Sequence, residues 1–383
     1  MPIHFTPEEL GQRRARATSA MKSRGLDALL MFRQESMYYL TGYDTFGYVY
    51  FQCLVLTADG RMVLLTRAPD LRQARHTSVI EDVRIWADRD GATPADELKA
   101  ILAEHGLAGG RLGVEYEAYG LTAASGKRLE AALAGFATLA DASDLVSRQR
   151  LIKSPAEIAC VREAARLADA AYLAGAALAR PAAFEGDILA AMHGAVFRGG
   201  GDDPANEFII GSGPGALMCR YFSGRRHLEA EDNLTLEFAG TWRHYHSCLF
   251  RTIRLGKPPQ RQRDLYAASR DALIACEAAL RPGRTIGEVF AAHATTLDRA
   301  GFTAHRFNAC GYSLGTTFAP NWMDWPMIYA GNPVVLAPGM VFFLHIILFD
   351  SEAGLPACVG RTSLVGARGA EPLSTLPLDL LVV

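Results

Sequence analysis

The sequence has little of what several large protein classes require. None of its seven cysteines lies in a C-x-x-C pair, so neither a zinc ribbon nor a dithiol redox motif is indicated. No apolar stretch reaches the 18 residues of a membrane-spanning helix. The nearest, 340–349 (MVFFLHIILF), is interrupted by His345 and predicts a buried strand. A net charge of −2 provides no broad positive field for nucleic acid. We therefore expect neither a nucleic-acid nor a membrane partner.

We also expect no signal peptide at the N-terminus. Its first residues, MPIHFTPEELGQRRAR, are polar and charged, without the apolar centre of a secretory signal. The odd number of scattered cysteines is typical of a reducing compartment. We expect a cytoplasmic protein in which most thiols are small core residues.

What the sequence does contain is the pattern of at least two domains within 383 residues. Residues 1–150 alternate helical and strand patterns. They include a helix capped by Thr6, a hairpin around Asp59-Gly60 and a later helix capped by Thr93. This alternation predicts an N-terminal α/β domain.

The pattern changes near residue 150. A long helix follows, with Ser154 as its cap and Glu157 closing a capping box, and Thr285 with Glu288 forms a second capping box farther along the chain. Beyond it, strands and helices are grouped rather than alternating, and the run 233–256 (NLTLEFAGTWRHYHSCLFRTIRLG) is strand-like. We therefore place the domain boundary just before the long helix and predict an α+β domain over residues 151–383.

Several segments resemble, in order, the pita-bread family of creatinase, aminopeptidase P and prolidase. They are YYLTGYD at 38–44, KSPAEIACVREAARLAD at 153–169, FIIGSGPGA at 208–216, RPGRT at 281–285 and LAPGMVF at 336–342. The resemblance covers nearly the whole chain. It implies a C-terminal pita-bread fold of α+β class, an N-terminal creatinase-like α/β domain and a homodimer. In dimeric relatives the N-terminal domain closes a neighbouring subunit's pocket, which would bring Asp44 and Tyr48 there.

The resemblance also implies a two-metal site with the ligands Asp, Asp, His, Glu and Glu. By local register these positions hold, in this sequence, Glu237, Cys248, Tyr312, His345 and Gly360. A single carboxylate cannot bridge and neutralise two divalent cations. One zinc held by Glu237, Cys248 and His345 is an alternative, but we expect no metal and no other cofactor.

In this respect the sequence resembles the metal-free branch of the family, which includes creatinase and ectoine hydrolase. The segments LEFAGTWRHYH and GYSLG are similar to ectoine hydrolase. The acid–base histidine of creatinase is not matched, because its position falls on Cys219 or, one residue on, Arg220. The resemblance implies a metal-independent C–N hydrolase that opens a small cyclic amidine, with ectoine giving N-acetyl-2,4-diaminobutyrate.

The chemistry of Glu237 supports the same function. A buried carboxylate needs a cationic partner or it takes up a proton, and an amidinium pairs with a carboxylate in a planar, bidentate way. Glu237 is predicted to attack the amidine carbon directly or to activate a water. Trp322 and Trp325 are predicted to offer aromatic faces to the cation.

Further residues are predicted to complete the site. His345 would shuttle a proton to the leaving nitrogen, and Tyr312 would donate a hydrogen bond to developing charge. Arg220 or Arg225 would hold a carboxylate of the small-molecule substrate.

Two histidines stay open between function and structure. His244 and His246 are two residues apart, so a regular strand places them on one face. A place in the lining of a substrate pocket and a purely structural place on the surface of the strand are equally consistent with this spacing.

Three other functions stay open on the sequence alone. They are an Xaa-Pro peptidase of the aminopeptidase P or prolidase type, a creatinase-like amidinohydrolase and a non-catalytic pita-bread module that binds a partner. The missing metal ligands oppose the first, the unmatched histidine opposes the second, and the retained Glu237 and His345 oppose the third.

Overall fold

The computed structural model describes residues 3–220 and 224–383. The chain divides into two compact units, Met1–Arg150 and Leu151–Val383. In the described residues, no helix combines the length and the apolar character needed to cross a bilayer.

The N-terminal unit is a mixed sheet flanked by helices. Its helices are α1 (Pro7–Ser23), α2 (Gln34–Thr41), α3 (Leu71–Thr77), α4 (Pro94–Glu104), α5 (Ala123–Leu133) and α6 (Leu145–Arg150). Its strands are β1 (Ala28–Met31), β2 (Cys53–Thr57), β3 (Met62–Arg67), β4 (Asp82–Trp86), β5 (Arg111–Val114) and β6 (Thr138–Asp141). The strand order is β4-β3-β2-β1-β5-β6, and β2 runs antiparallel to both of its neighbours.

The central strand β1 is buried on both faces. Leu29 and Met31 pack into one hydrophobic core, whereas Ala28 and Leu30 pack into a second core on the other side of the sheet. A strand covered on both faces reads as a continuous apolar run, and β1 has the sequence ALLM.

The C-terminal unit is built on one large sheet. Its helices are α7 (Pro155–Ala176), α8 (Glu185–Arg198), α9 (Gln260–Ala279) and α10 (Ile286–Arg299). Its strands are β7 (Ile209–Ser212), β8 (Asp232–Trp242), β9 (Tyr245–Leu255), β10 (Ala309–Ser313), β11 (Asp324–Tyr329), β12 (Val341–Asp350), β13 (Leu355–Val365), β14 (Ala370–Pro372) and β15 (Leu381–Val382). The order is β11-β10-β12-β13-β9-β8-β7, with β14 beside β13 and β15 beside β9.

The two faces of this sheet have different neighbours. On the helix face, Phe342 and Leu344 of β12 share a core with Leu273 of α9 and Val289 of α10. Helix α7 packs on the same face of β8, so closely that a Cβ on Gly240 would lie 2.0 Å from a backbone oxygen of α7. The opposite face, which we call the cavity face, carries the alternate residues of each strand.

Local signals in the sequence agree with the helix starts. The capping boxes predicted at Ser154–Glu157 and Thr285–Glu288 are both formed. The predicted cap at Thr93 begins α4, but its side chain makes no capping hydrogen bond.

The run 233–256 forms two strands rather than one. Strands β8 and β9 are joined by Arg243 and His244, with φ values of 52° and 63°. Positive φ at both central residues is the conformation of a type I′ hairpin turn, which normally uses Asn or Gly. The prediction that His244 and His246 share the face of one strand is therefore wrong, because His244 lies in the turn.

Candidate active site

The sheet register brings the predicted ligand positions onto the cavity face. Glu237 pairs with Phe250, Phe250 with Gly360, and Gly360 with His345, across strands β8, β9, β13 and β12. Residues directly opposite in antiparallel strands project on the same side of the sheet. The row therefore places Glu237 and His345 on one face.

The other two positions join the same face. Cys248 lies two residues from Phe250 on β9, and Tyr312 of β10 pairs with Phe343, two residues from His345 on β12. Since side chains alternate along a strand, both project to the cavity face.

The residues at these positions do not fit a two-metal centre. A Cβ on Gly360 would lie 2.7 Å from the backbone oxygen of Leu344 and 3.1 Å from Cε2 of Phe343, so the ring of Phe343 stands where a ligand side chain would begin. Burial raises the pKa of the Cys248 thiol well above its usual range, which disfavours the thiolate that binds metals. Within residues 3–220 and 224–383, no group of three or more His, Cys, Asp or Glu side chains is placed to hold a metal ion.

A cavity of about 210 Å³ opens on this face. Its walls are mostly apolar or sulfur-containing, and its polar groups converge from separate elements. The polar lining residues are Asn206, Arg220, Glu237, Tyr312, Asn321 and His345. A mainly apolar pocket with few convergent polar groups is the usual form of a small-molecule site.

Glu237 is the buried carboxyl group of this cavity, with 8% of its surface exposed. Burial raises the pKa of Glu237 to about 8, although the positive charge of Arg220 and a hydrogen bond from Tyr312 act in the opposite direction. With the cavity empty, the carboxyl group is therefore mostly protonated at neutral pH.

Tyr312 connects Glu237 to the wall of the cavity. Its hydroxyl oxygen accepts a hydrogen bond of 2.9 Å from Nε1 of Trp322, and its hydroxyl group acts to lower the pKa of Glu237 across the cavity. Burial, together with the neighbouring Glu237, raises the pKa of Tyr312 well above its usual range. Tyr312 therefore stays a protonated donor.

His345 is a neutral imidazole in this setting. Burial lowers the pKa of His345 to about 4, and electrostatic interactions with His293 and Arg220 act in the same direction. Its Nδ1 is buried and has no hydrogen-bond partner among the described protein atoms. A buried ring nitrogen of this kind needs a partner from a ligand or water.

Three predicted substrate-binding residues are absent from the described cavity lining. His246 uses Nε2 to accept from the amide of Ala205 at 2.9 Å and Nδ1 to contact the Thr317 hydroxyl at 3.1 Å. The ring of His244 stacks on Phe318, with centroids 4.2 Å apart. Trp325 packs against the core of the helix face. Their substrate-binding roles stay predictions, with no cavity contact to support them.

The structure places the other predicted residues together and adds some. Glu237, His345, Tyr312, Arg220 and Trp322 all line the cavity, whereas Arg225 is not among its described lining residues.

The additional lining residues come from segments that carried no motif. Cys219 lines the cavity beside Arg220. In the sequence it was named only as one of two residues that could fall at the position of the creatinase histidine. Asn206 follows the three glycines at 199–201, Phe307 precedes β10, and Met327 lies on β11. The one sequence signal that could have indicated these lining residues is their closeness along the chain to the segments 208–216 and 310–315.

Comparisons with known proteins cover both units. Residues 159–368 match the model of metallopeptidase family M24, and residues 13–152 match the creatinase/prolidase N-terminal domain. The ectoine hydrolase of Halomonas elongata is 27% identical over 409 residues, which cover 99% of this chain and 98% of the relative. An uncharacterized hydrolase/peptidase, y4tM, of Sinorhizobium fredii is 28% identical over 99% of both chains.

A solved structure shows the same architecture. The crystal structure of dipeptidase PepE from Mycobacterium ulcerans superposes with a TM-score of 0.85 at 26% identity, over 99% of each chain.

Proposed function

This chain belongs to metallopeptidase family M24 and is a hydrolase of that family, and from this premise we propose that it opens a small cyclic amidine, ectoine in the first instance, without a bound metal. The similarity to ectoine hydrolase over nearly the full length of both chains supports this substrate class.

The observation that carries the proposal is that Glu237 supplies the one carboxyl group among the described residues that line the cavity. It occupies a family ligand position, yet the four other positions hold cysteine, tyrosine, histidine and glycine. A buried carboxylate is stabilised by a cation. Since the donor set does not fit two metal ions, the substrate is the cation that we assign to Glu237, and an amidinium has the planar geometry to pair with it.

Binding of such a cation changes the protonation of Glu237. The empty cavity favours the neutral acid, because the pKa of Glu237 is raised to about 8. An amidinium in contact with the carboxyl group favours its anion. Substrate binding therefore expels a proton and produces the carboxylate at the moment when it can react.

The ionised Glu237 then acts on the amidine carbon by one of two routes. It forms a C–O bond to that carbon and is later released by water, or it takes a proton from a water that attacks. In both routes one water is consumed, the C–N bond to a ring nitrogen breaks, and that nitrogen leaves with a proton.

The neighbouring residues serve these steps in the protonation states that their burial favours. His345, neutral because its pKa is about 4, accepts a proton on one nitrogen while it donates from the other to the leaving nitrogen. Tyr312 donates to the charge that develops, and Arg220 is the cation in the lining that can pair with a substrate carboxylate.

Incubation with three substrates tests the proposal. Purified protein is treated with chelator, offered ectoine, creatine and an Xaa-Pro dipeptide in separate reactions, and the products are identified by mass spectrometry. We expect ectoine alone to gain the mass of one water. If the dipeptide is the one substrate cleaved, and only after divalent metal is added back, the protein is a peptidase instead.

A further inference from the structure

Two loops of the C-terminal unit line the cavity from opposite edges of the sheet. The first, residues 199–208, leads into the edge strand β7 and carries Asn206. The second, residues 314–323, leads into the edge strand β11 and carries Asn321 and Trp322. Five strands separate β7 from β11, so strand pairing alone does not set the distance between the two loops.

The imidazole ring of His246 joins these loops. Its Nε2 accepts a hydrogen bond of 2.9 Å from the amide of Ala205 in the first loop, and its Nδ1 lies 3.1 Å from the hydroxyl oxygen of Thr317 in the second. His246 is wholly buried, and Thr317 and Ala205 are 3% and 4% exposed. One side chain of β9 therefore holds both loops through bonds that are shielded from water.

The chemistry of the two partners fixes the tautomer of His246. A backbone amide can only donate, so Nε2 must carry a lone pair. The one proton of the neutral ring then lies on Nδ1 and is donated to the oxygen of Thr317. Without the ring, the buried amide of Ala205 would lose its acceptor, and the first loop would have to shift to find another.

The two asparagines move with their loops. The side-chain nitrogen of Asn206 donates to the backbone oxygen of Glu207 at 2.9 Å, and the side-chain oxygen of Asn321 accepts from the amide of Met323 at 3.0 Å. Each amide group is therefore held by its own loop, and the position of the loop sets the position of the amide group in the cavity.

The backbone of His244 makes a second connection between the loops. Its amide donates to Oδ2 of Asp202 in the first loop, and its carbonyl oxygen accepts from the amide of Thr317 in the second, both at 3.2 Å. These bonds survive a substitution of His246. We therefore expect such a substitution to loosen the loops without detaching them.

We propose that His246 is a positioning residue, which fixes the two loops against β9 and so places Asn206 and Asn321 for substrate binding. The role rests on the proposed function of the cavity. It differs from the direct substrate contact predicted for His246 from the sequence. Because Glu237 and His345 are the reacting groups, a displaced asparagine should weaken binding and raise KM with little change in kcat.

Two substitutions of His246 form a matched pair. In His246→Gln the side-chain oxygen reaches the place of Nε2 and can still accept from the amide of Ala205. In His246→Asn the shorter side chain reaches the place of Nδ1, so it can meet Thr317 but leaves Ala205 without its acceptor. Both variants remove the ring, and the difference between them isolates the bond to the first loop.

Amide hydrogen exchange of the substrate-free full chain tests the positioning role. We expect residues 199–208 to exchange about fivefold faster in His246→Asn, the effect of one lost hydrogen bond. His246→Gln should exchange within about twofold of the wild type. Ser269→Ala, which removes a buried 3.0 Å bond to the backbone oxygen of Ala357 on the helix face, should leave both loops unchanged.

Kinetics with ectoine supply the readout that a merely structural role would not move. We expect KM to rise about fivefold in His246→Asn, with kcat within about twofold of the wild type. His246→Gln should restore the wild-type KM, and Ser269→Ala should retain it. If His246→Asn does not fold, Thr317→Val removes the bond to the other loop instead, and it should speed exchange of residues 314–323 and raise KM.

Three results would overturn the inference. They are wild-type exchange of both loops in the variant that folds, faster exchange with a wild-type KM, and equal changes in His246→Asn and His246→Gln. Failure of every substrate to react would refute the proposed function. The substrate-free exchange would still decide whether His246 fixes the loops.

Discussion

Two buried glutamates, one in each unit, show how the same side chain can serve structure or chemistry. Glu115 of the N-terminal unit is wholly buried and accepts hydrogen bonds from the amides of Phe32 and Arg33, at 3.1 and 3.0 Å, and from the Ser36 hydroxyl at 2.5 Å. These bonds hold the strand β1 against the following helix α2. Burial raises the pKa of Glu115 too, as it does for Glu237, but these three donors from its own unit pair the carboxyl group without a ligand.

Glu237 is also buried, with 8% of its surface exposed, but it has fewer hydrogen-bond donors than Glu115. Its favourable interactions are a hydrogen bond from Tyr312 and the charge of Arg220, and they do not offset burial, which raises the pKa of Glu237 to about 8. It also lines a cavity, whereas Glu115 lies between backbone amides. A buried acid that its own protein leaves incompletely paired is a candidate for ligand binding.

The largest difference between the two glutamates should appear in turnover. Glu237→Gln removes the nucleophile or base while preserving shape, and we expect kcat for ectoine to fall by about 10⁴-fold or more. Circular dichroism and thermal melting should show a folded protein. Activity within tenfold of the wild type would contradict the role of Glu237.

Tyr312→Phe should have the next largest effect. It removes one donor to the developing charge, and the loss of a single such donor typically lowers kcat by about 10²-fold. The KM for ectoine should change much less. An unchanged kcat would show that Tyr312 serves packing only.

Glu115→Gln should show the opposite pattern. Its amide nitrogen would meet backbone donors, so we expect the free energy of unfolding to fall by about 1–3 kcal/mol. The kcat of the folded fraction should stay within about twofold of the wild type. Urea denaturation measures the free energy of unfolding, and initial rates measure kcat. A lower kcat without a lower free energy of unfolding would contradict a purely structural role for Glu115.

The pH dependence of stability should sharpen the comparison. Glu237 keeps its proton in the folded state up to about pH 8, whereas its ordinary pKa is 4.5. Between these values the unfolded state binds fewer protons, so stability falls as pH rises. Relative to Glu237→Gln, the wild type should lose stability between pH 5 and 8, as measured by urea denaturation. A difference in stability between the two proteins that does not change from pH 5 to 8 would contradict the raised pKa of Glu237.

The sequence was sufficient for features that depend on neighbouring residues. The caps at Thr6, Ser154 and Thr285 depend on side chains three positions apart, and all three are formed. The order of the family segments was sufficient for the family and the α+β fold class, which the matches to both units confirm.

The remainder of the site depends on the fold. The turn at Arg243-His244 escaped prediction because neither residue normally adopts positive φ. Asn206 and Phe307 reach the cavity from segments that are about 100 residues apart in the chain, so no local pattern could join them. The homodimer and the cytoplasmic location stay predictions.

The central claim is that the cation facing Glu237 is the substrate, and proton release on binding tests it most directly. Acetamidinium, an acyclic amidinium, is titrated calorimetrically into chelator-treated wild type and Glu237→Gln at pH 7, in two buffers with different ionisation enthalpies. With the pKa of Glu237 at about 8 in the empty cavity, we predict release of close to one proton per wild-type chain and none from the variant. Binding without proton release by the wild type, or equal release by both proteins, would contradict the account.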